Sequence, residues 1–182
     1  MSNYVVIARF DEAANRNIVR LRRQMEEAGF DVPEWPPHIT LAAYEDIDAG
    51  LLCDWTAGFA ARQTARVEVG LHAVGLFPPG GPHRDTVVLY LAPAHAKVLV
   101  DFYYAFHAKY EEYCTGIGWY NSISHGQPAI HSTIAVVPVE RIQKAMELVM
   151  AGGVFGKAKI VALEVYTYPM RLIRRFELPG ES

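Results

Sequence analysis

The sequence predicts an α+β protein of two lobes, each an α/β sandwich with an antiparallel sheet, related by a pseudo-twofold axis with a cleft between them. First, the order strand, helix, strand, helix, strand occurs twice in 182 residues, over about 4–77 and 86–178. Second, the last two strands have no crossover helix between them, as antiparallel pairing allows. Third, a composition of 51% hydrophobic residues supports a real core. We expect one domain over 1–182, with an exchange of terminal strands between the repeats left open.

The first half begins with a β-branched run from Tyr4 to Phe10, which predicts a buried strand. Asp11 is placed to cap a helix that ends near Gly29. A loop over 31–37 contains three prolines, which stiffen the entry to the next strand, over 38–44. Asp48 caps a second predicted helix, and alternating residues predict a strand over 67–77. The apolar face of that second helix is Leu51, Leu52, Trp55 and Phe59.

The second half follows a proline and glycine turn over 78–82 and repeats the order of the first. A strand over 86–92 precedes a helix, a polar loop over 114–128 and a strand over 130–136. Pro138 suits the first turn of another helix, which ends at Gly152. Strands over about 159–168 and 170–178 close the chain. The helix predicted after the strand over 86–92 has an apolar stripe of Val98, Leu99, Phe102, Phe106, Tyr110 and Tyr113.

Two His-x-Thr motifs occur at equivalent places in the two halves, each at the start of an apolar strand. The first is His38 with Thr40, and the second is His131 with Thr133. Residues two apart on a strand share a face, so each histidine projects beside its threonine. Chance supplies only about 0.3 such triplets in this composition. The alternative for either motif alone is a strand histidine satisfied by a backbone carbonyl, with threonine present for its β-propensity.

Two histidines opposed across a cleft can perform acid and base catalysis together. Neutral imidazole accepts a proton and imidazolium gives one, and the usual pKa near 6.5 lets both forms coexist at neutral pH. Threonine hydroxyls beside them can donate to the non-bridging oxygens of a phosphate. This set of groups meets the demands of phosphodiester cleavage without a metal ion.

The two motifs, their placement on strands of a duplicated unit, and the Phe77-Pro-Pro-Gly-Gly segment resemble the 2H phosphoesterase superfamily, in particular its 2′-5′ RNA ligase-like or RNA 2′,3′-cyclic phosphodiesterase group. The resemblance extends over about 4–178. It implies a bilobal fold, metal-independent opening of 2′,3′-cyclic phosphates, and 2′-5′ RNA ligase activity as a further possibility. By motif position the catalytic residues are His38, Thr40, His131 and Thr133. The middle residue of the second motif is usually apolar, and here it is Ser132, which should point toward the helices.

Three further residues are candidates for substrate binding. Phe77 and Tyr168 stand at strand ends, where an aromatic ring can stack on a base, although packing explains them equally well. Arg171 belongs to a basic cluster on the last strand, and simple alternation would put it on the same face as Arg175 and opposite Arg174. One of these arginines could reach a phosphate. The alternative is a solvated edge strand.

Composition narrows the class of partner. A net charge of −3 argues against binding of duplex DNA and favours a small substrate over a long RNA. The resemblance implies that the partner is a small nucleotide or an RNA terminus with a cyclic phosphate. We expect a monomer. We expect a cytoplasmic location, because no secretory leader precedes Tyr4 and no apolar run could span a membrane. Cys53 and Cys114 lack metal-ligand spacing. We expect no cofactor and no metal. A nucleotide-binding module on the same fold is the alternative function, and a metal hydrolase using His125 and His131 is a weaker one.

Overall fold

The computed structural model describes residues 3–80, 84–125 and 128–180, and each strand that the sequence predicts is present. The first half contains β1 (Asn3–Phe10), α1 (Glu12–Glu27), β2 (His38–Glu45), α2 (Ala49–Ala61) and β3 (Val67–Phe77). The second half contains β4 (Thr86–Pro93), α3 (Lys97–Phe106), β5 (Ser132–Pro138), α4 (Ile142–Ala151), β6 (Gly156–Thr167) and β7 (Arg171–Glu177). Short 3-10 helices cover Glu111–Tyr113, Gly116–Asn121 and Val139–Arg141.

The strands form one antiparallel sheet, so the prediction of two separate sheets is wrong. Its order is β2-β1-β6-β3-β4-β5, and β7 also pairs with β6. The long strand β6 joins the two parts. One edge of β6 pairs with β1, whereas its other edge pairs with β3 over 156–160 and then with β7 over 162–167. The sheet therefore divides into two arms at β6, with the mixed α and β composition that the sequence predicts.

Strands from each half of the sequence cross into the opposite arm. β3, from the first half, pairs with β4, and β6, from the second half, pairs with β1. If β1, β2 and β3 are treated as equivalent to β4, β5 and β6, the order of strands is the same from either edge of the sheet. The two edge strands, β2 and β5, also contact one another, so the sheet curves enough to bring the two His-x-Thr motifs together.

The helices differ from expectation mainly at their ends. Asp11 caps α1 as predicted, with its carboxylate accepting a hydrogen bond from the Ala14 amide at 3.0 Å. The third helix stops at Phe106, well before Tyr113, and beyond it Tyr110 adopts a left-handed φ of 65°, which excludes that residue from an α-helix. Pro138 ends β5 instead of starting a helix.

The apolar faces of α2 and α3 are narrower than their sequences suggest. Leu51 and Val98 are both about half exposed, although each was expected on a buried face. Each lies in the first turn of its helix, directly before a buried leucine, Leu52 in α2 and Leu99 in α3. Buried positions of α2 include Leu52 and Phe59, and those of α3 include Leu99 and Phe102.

The sheet has a large core on its helical face and a small apolar cluster on the other face of the first arm. Along β1, Val6 and Ala8 belong to the main core, whereas Val5 and Ile7 belong to the small cluster. Ala43 and Tyr166 complete the buried part of that cluster, and Trp35, Ile117 and Met170 pack against it. This second cluster matters for function because it forms the apolar wall of the cleft between the arms.

Part of the predicted turn over 78–82 lies outside the described residues, as do residues 126 and 127 of the polar loop. None of the helices within the described ranges has both the length and the apolar character needed to cross a membrane.

Candidate active site

The first motif is held by β2 and by the proline loop before it. His38 begins β2 opposite Arg9 of β1, and Thr40 lies opposite Ile7. The Nδ1–H of His38 donates to the carbonyl oxygen of Pro36 at 2.6 Å. A carbonyl only accepts, so the proton of the neutral ring is on Nδ1, and Nε2 is left as an acceptor 3.1 Å from the Thr40 hydroxyl. The proline-stiffened loop therefore sets both the tautomer and the orientation of the ring.

The second motif has the same local geometry. His131 directly precedes β5, and its Nδ1–H donates to the carbonyl oxygen of Ala129 at 2.6 Å. The His131 ring meets the rings of Phe77 and Tyr90, with centroid distances of 4.9 and 5.3 Å. Both contacts are edge-on, so the ring is fixed by packing as well as by its hydrogen bond. Nε2 of His131 is the nitrogen left for chemistry.

The two motifs meet at one cleft of about 250 Å³. Its wall includes His38 and Thr40 from one arm and Thr133 from the other. The strands that carry the motifs, β2 and β5, are in contact, and a protonated His131 would lower the pKa of His38 by charge repulsion. His131 itself lies beside this wall, against Phe77 and Tyr90. The structure thus brings together the four residues of the two motifs.

Both histidines are held in their neutral form. Burial, as the largest cause, and the charges of Arg22, His131 and Arg9 together lower the pKa of His38 to about 3, against the opposing effect of the bond to Pro36. Burial also lowers the pKa of His131, again against a carbonyl bond that favours the imidazolium. A bound phosphate anion would favour protonation of either ring, because an opposite charge stabilises the charged form.

A buried arginine on α1 links the two motifs. Arg22 is only 6% exposed, and its two terminal nitrogens donate to the carbonyl oxygens of Trp35 and Thr133. Trp35 precedes the first motif and Thr133 belongs to the second. Desolvation lowers the pKa of Arg22 to about 10, with a smaller contribution from Arg9. The sequence pattern does not single out Arg22, because on a helical pattern it falls beside Leu21 as one of several arginines.

A buried ion network lies beneath the first motif. Arg9 donates to Glu164 at 3.0 Å, and Arg175 donates to the other oxygen of that carboxylate at 2.7 Å. The hydroxyl of Tyr166 donates to the same Glu164 at 2.9 Å. The Glu164 carboxylate therefore balances the charge of Arg9, which lies opposite His38 on the neighbouring strand. No motif in the sequence signals this network, since its members come from three strands.

The candidate substrate-binding residues are placed differently from one another. Tyr168 is 53% exposed and lines the cleft. Phe77 packs against the ring of His131, where it can orient the histidine. Arg171 pairs with Thr167, whereas Arg175 pairs with Glu164 on the face of the small apolar cluster. A β-bulge near Ile173 breaks the alternation, so Arg171 shares a face with Arg174 and not with Arg175.

The apolar side of the cleft adds residues that the sequence analysis did not single out. Its wall includes Val5, Pro33, Trp35, Ala43, Ile117 and Asn121. The ring of Trp35 lies between those of His38 and Tyr166, with centroid distances of 5.7 and 5.2 Å. The sequence signal that could have identified Trp35 is an aromatic residue three positions before His38 in a proline-rich loop. These groups suit a flat apolar ligand, such as a base, next to the phosphate position.

The 3-10 helix Gly116–Asn121 forms one rim of this cleft. A Cβ on Gly118 would stand 2.0 Å from the carbonyl oxygen of Ala43, so only glycine allows this helix to approach β2. Beyond it, His125 stacks on Trp119 at 4.1 Å and has its Nδ1 2.7 Å from the Ser122 hydroxyl. The sequence also suggested a metal site that uses His125 and His131. Among the described residues, this arrangement places no carboxylate with them as a further metal ligand.

One cluster of metal-type ligands occurs in the described part of the chain, formed by His107, Glu111 and Cys114. The Glu111 carboxylate already accepts hydrogen bonds from Ser122 and Ser124 and lies 2.5 Å from His107 Nδ1. The other ring nitrogen of His107 donates to the carbonyl of Leu41 at 2.8 Å, behind Thr40. These bonds tie the rim to β2 and satisfy the carboxylate without a metal ion.

The fold and this site define a two-histidine phosphoesterase type of protein. The family model of the 2′-5′ RNA ligase superfamily matches residues 10–168. The chain therefore belongs to the 2′-5′ RNA ligase superfamily, a group of 2H phosphoesterases. Comparison with the sequences of curated proteins gives no match.

Solved structures share the fold over nearly their whole length. The protein TT0787 of Thermus thermophilus has a TM-score of 0.61 at 17% identity, covering 99% of this chain and 100% of that one. Escherichia coli LigT complexed with 3′-AMP has a TM-score of 0.56 at 12% identity, covering 98% and 99%. Kluyveromyces marxianus Usb1 has a TM-score of 0.55 at 10% identity, covering 97% and 98%. At these identities the likeness establishes the fold.

Proposed function

We propose that the protein is a metal-independent phosphodiesterase that opens 2′,3′-cyclic phosphates of small nucleotides or RNA ends. The observation that carries this proposal is the matched pair of imidazoles, each with Nδ1 bound to a backbone carbonyl and Nε2 left for proton transfer. A protein that only binds a nucleotide has no need of two such groups. We also infer that the palindromic order of strands reflects a duplicated unit with pseudo-twofold symmetry.

The reaction follows from the positions of these groups. One neutral imidazole takes a proton from water as the water oxygen attacks phosphorus in line with the bond to O3′. That bond breaks, and the other histidine, as imidazolium, gives its proton to O3′. The product is a 2′-phosphate with a free 3′-hydroxyl. Thr40 and Thr133 donate hydrogen bonds to the non-bridging oxygens, where negative charge gathers in the transition state.

The apolar wall of the cleft supports a nucleoside as the group attached to the phosphate. Trp35 and Tyr168 offer aromatic surface beside His38 and Thr40. Among proteins of this fold, Escherichia coli LigT binds 3′-AMP and ATP, and Kluyveromyces marxianus Usb1 binds uridine monophosphate. A nucleotide of that size fits an active site built from one cleft and four catalytic side chains.

The test is turnover of a panel of 2′,3′-cyclic mononucleotides, RNA with a terminal cyclic phosphate and 2′-5′ linked dinucleotides. We expect hydrolysis to 2′-phosphates that survives EDTA, and no turnover by the double variant His38→Ala, His131→Ala. Formation of a 2′-5′ linkage from two RNA ends would show ligation in place of hydrolysis. Nucleotide binding without turnover of any substrate would instead establish a binding module, and inhibition by EDTA would establish a metal hydrolase.

A further inference from the structure

Arg22 is a buried cation with no carboxylate partner among the described residues. Its side chain projects from α1, it is 6% exposed, and its Nε has no hydrogen-bond partner in the described part of the chain. Buried charges are normally paired, because an unpaired charge in the interior is costly. The charged group that acts on the pKa of Arg22 is another cation, Arg9, which adds to the cost.

The two hydrogen bonds of Arg22 reach both halves of the site. One terminal nitrogen donates to the carbonyl oxygen of Trp35, in the loop that carries His38. The other donates to the carbonyl oxygen of Thr133, in the second motif, at 2.6 Å. The planar guanidinium has a fixed geometry, so it sets the separation of these two backbone segments. Backbone positions in turn set the gap between the two imidazoles.

The charge of Arg22 also acts on the first histidine. It is one of three groups whose positive charge opposes protonation of His38, together with Arg9 from β1 and His131 from the segment before β5. Arg9 is paired with Glu164, whereas Arg22 donates only to neutral carbonyls. Of the two arginines in this set, Arg22 is therefore the one without a carboxylate partner among the described residues, and a phosphate anion in the cleft would supply the opposite charge.

We propose that Arg22 is a positioning residue that fixes the distance between the two His-x-Thr motifs and whose buried charge is balanced by the substrate phosphate. The proposal rests on the proposed phosphoesterase function. It predicts that Arg22 affects turnover, phosphate binding and the protonation of His38 together, although it does not line the cleft. A purely structural arginine would affect stability alone.

The variants separate charge from geometry. Arg22→Met removes the charge at similar length, and Arg22→Lys keeps the charge but loses the planar fork. Arg141→Met is a matched control, because Arg141 also donates to two backbone carbonyls, those of Ala28 and Gly29, at the far end of α1. All three are measured for melting temperature, for kcat and KM across pH, and for the change in melting temperature on adding inorganic phosphate.

We expect Arg22→Lys to lower kcat by on the order of 100-fold, because the two motifs lose their fixed spacing, while the acid limb of kcat/KM stays in place. Arg22→Met should lower kcat as well, move that acid limb to higher pH, and lose most of the stabilisation by phosphate. Arg141→Met should change the melting temperature only. A folded Arg22→Lys with unchanged kcat, or a folded Arg22→Met with an unchanged acid limb, would overturn the proposal.

The inference is also tested without turnover. Titration of the imidazole signals by NMR in the substrate-free protein should show a higher pKa for His38 in Arg22→Met and an unchanged one in Arg22→Lys and Arg141→Met. If the native protein hydrolyses no cyclic phosphate, this titration and the response to inorganic phosphate still decide the role of Arg22. An identical His38 titration in all four proteins would refute the electrostatic part.

Discussion

His38 and His131 hold their rings in the same way: in each, Nδ1 donates to the carbonyl oxygen of the residue two positions earlier, at 2.6 Å. The two bonds are formed by separate segments, one rich in proline and one preceding β5. Each leaves Nε2 without a bond to the backbone. The two imidazoles are therefore held symmetrically, although their surroundings differ, with Trp35 next to His38 and Phe77 with Tyr90 next to His131.

Loss of either imidazole should remove most activity. We expect His38→Ala and His131→Ala each to lower kcat/KM for a 2′,3′-cyclic nucleotide by about 10²–10⁴-fold, because each removes one proton-transfer group. The double variant should be little worse than either single variant, since the two groups act as a unit. His95→Ala, at an exposed position before α3, is the control. Near-normal turnover by either single variant would rule out the two-histidine mechanism.

The pH profile should separate free enzyme from complex. The pKa of His38 is lowered to about 3 and that of His131 is also lowered, so the acid limb of kcat/KM should lie below pH 6.5. In the complex, the phosphate anion favours imidazolium, so the limbs of kcat should lie at higher pH than those of kcat/KM. Initial rates across pH 4–9 measure both. Coincident limbs for kcat and kcat/KM would contradict this expectation.

Stability should depend on pH through the same histidine. His38 has a folded pKa of about 3, whereas the unfolded chain protonates it near 6.5, so the unfolded state binds more protons between these values. The free energy of unfolding should therefore fall as pH decreases below 6.5, by up to about 1.4 kcal/mol per pH unit for this group. His131 acts in the same direction.

Urea unfolding at pH 7, 6 and 5 measures this dependence in the native protein and in His38→Gln, which stays neutral throughout. The variant should show a smaller fall, and His95→Gln should behave as the native protein does. These pH values lie above the range in which Glu111 is protonated, because hydrogen bonds from Ser122, Ser124 and His107 hold the pKa of that carboxyl at about 2, against the opposing effect of burial. Equal slopes in native protein and His38→Gln would show that His38 contributes nothing.

Ser132 should be a site where a substitution stabilises the protein. Its hydroxyl is buried at 1% exposure and has no hydrogen-bond partner in the described part of the chain. Ser132→Ala removes an unsatisfied polar group and should raise the free energy of unfolding by about 1 kcal/mol. Ser122→Ala is the matched control, equally buried but bonded to Glu111, and should lower it. Denaturant unfolding at neutral pH measures the free energy of unfolding of both variants. A loss of stability in Ser132→Ala would contradict this prediction.

Gly75 should be required for the packing of His131. A Cβ at this position would stand 2.3 Å from the ring of Tyr90, which itself contacts the His131 ring. Gly75→Ala should displace Tyr90, cost about 1–3 kcal/mol of stability and lower kcat. Gly80→Ala, where a Cβ meets nothing within 4 Å, is the control. Unchanged kcat in a folded Gly75→Ala would show that the Tyr90 ring does not position His131.

Local patterns were enough to predict the strands, the cap at Asp11 and the family, whereas the catalytic role of the four motif residues stays a prediction. These depend on near neighbours in sequence: a two-residue period puts His38 and Thr40 on one face, and a proline loop stiffens the entry to their strand. The sequence also predicted that Ser132 points away from the cleft, and its burial beside the core agrees. The third helix was predicted to continue through Tyr110, whose left-handed φ of 65° is a backbone conformation that side-chain periodicity does not encode.

The long-range pairings depended on tertiary structure. The length of β6 joins the arms into one sheet, and a bulge in β7 directs Arg175 rather than Arg171 to the face that carries Glu164. Arg22 reaches Thr133 across 111 positions of sequence, a contact that no local period encodes. Periodicity reports only which face a residue occupies on its own element. Which distant groups meet on that face depends on how the elements pack, because packing is decided by the whole core at once.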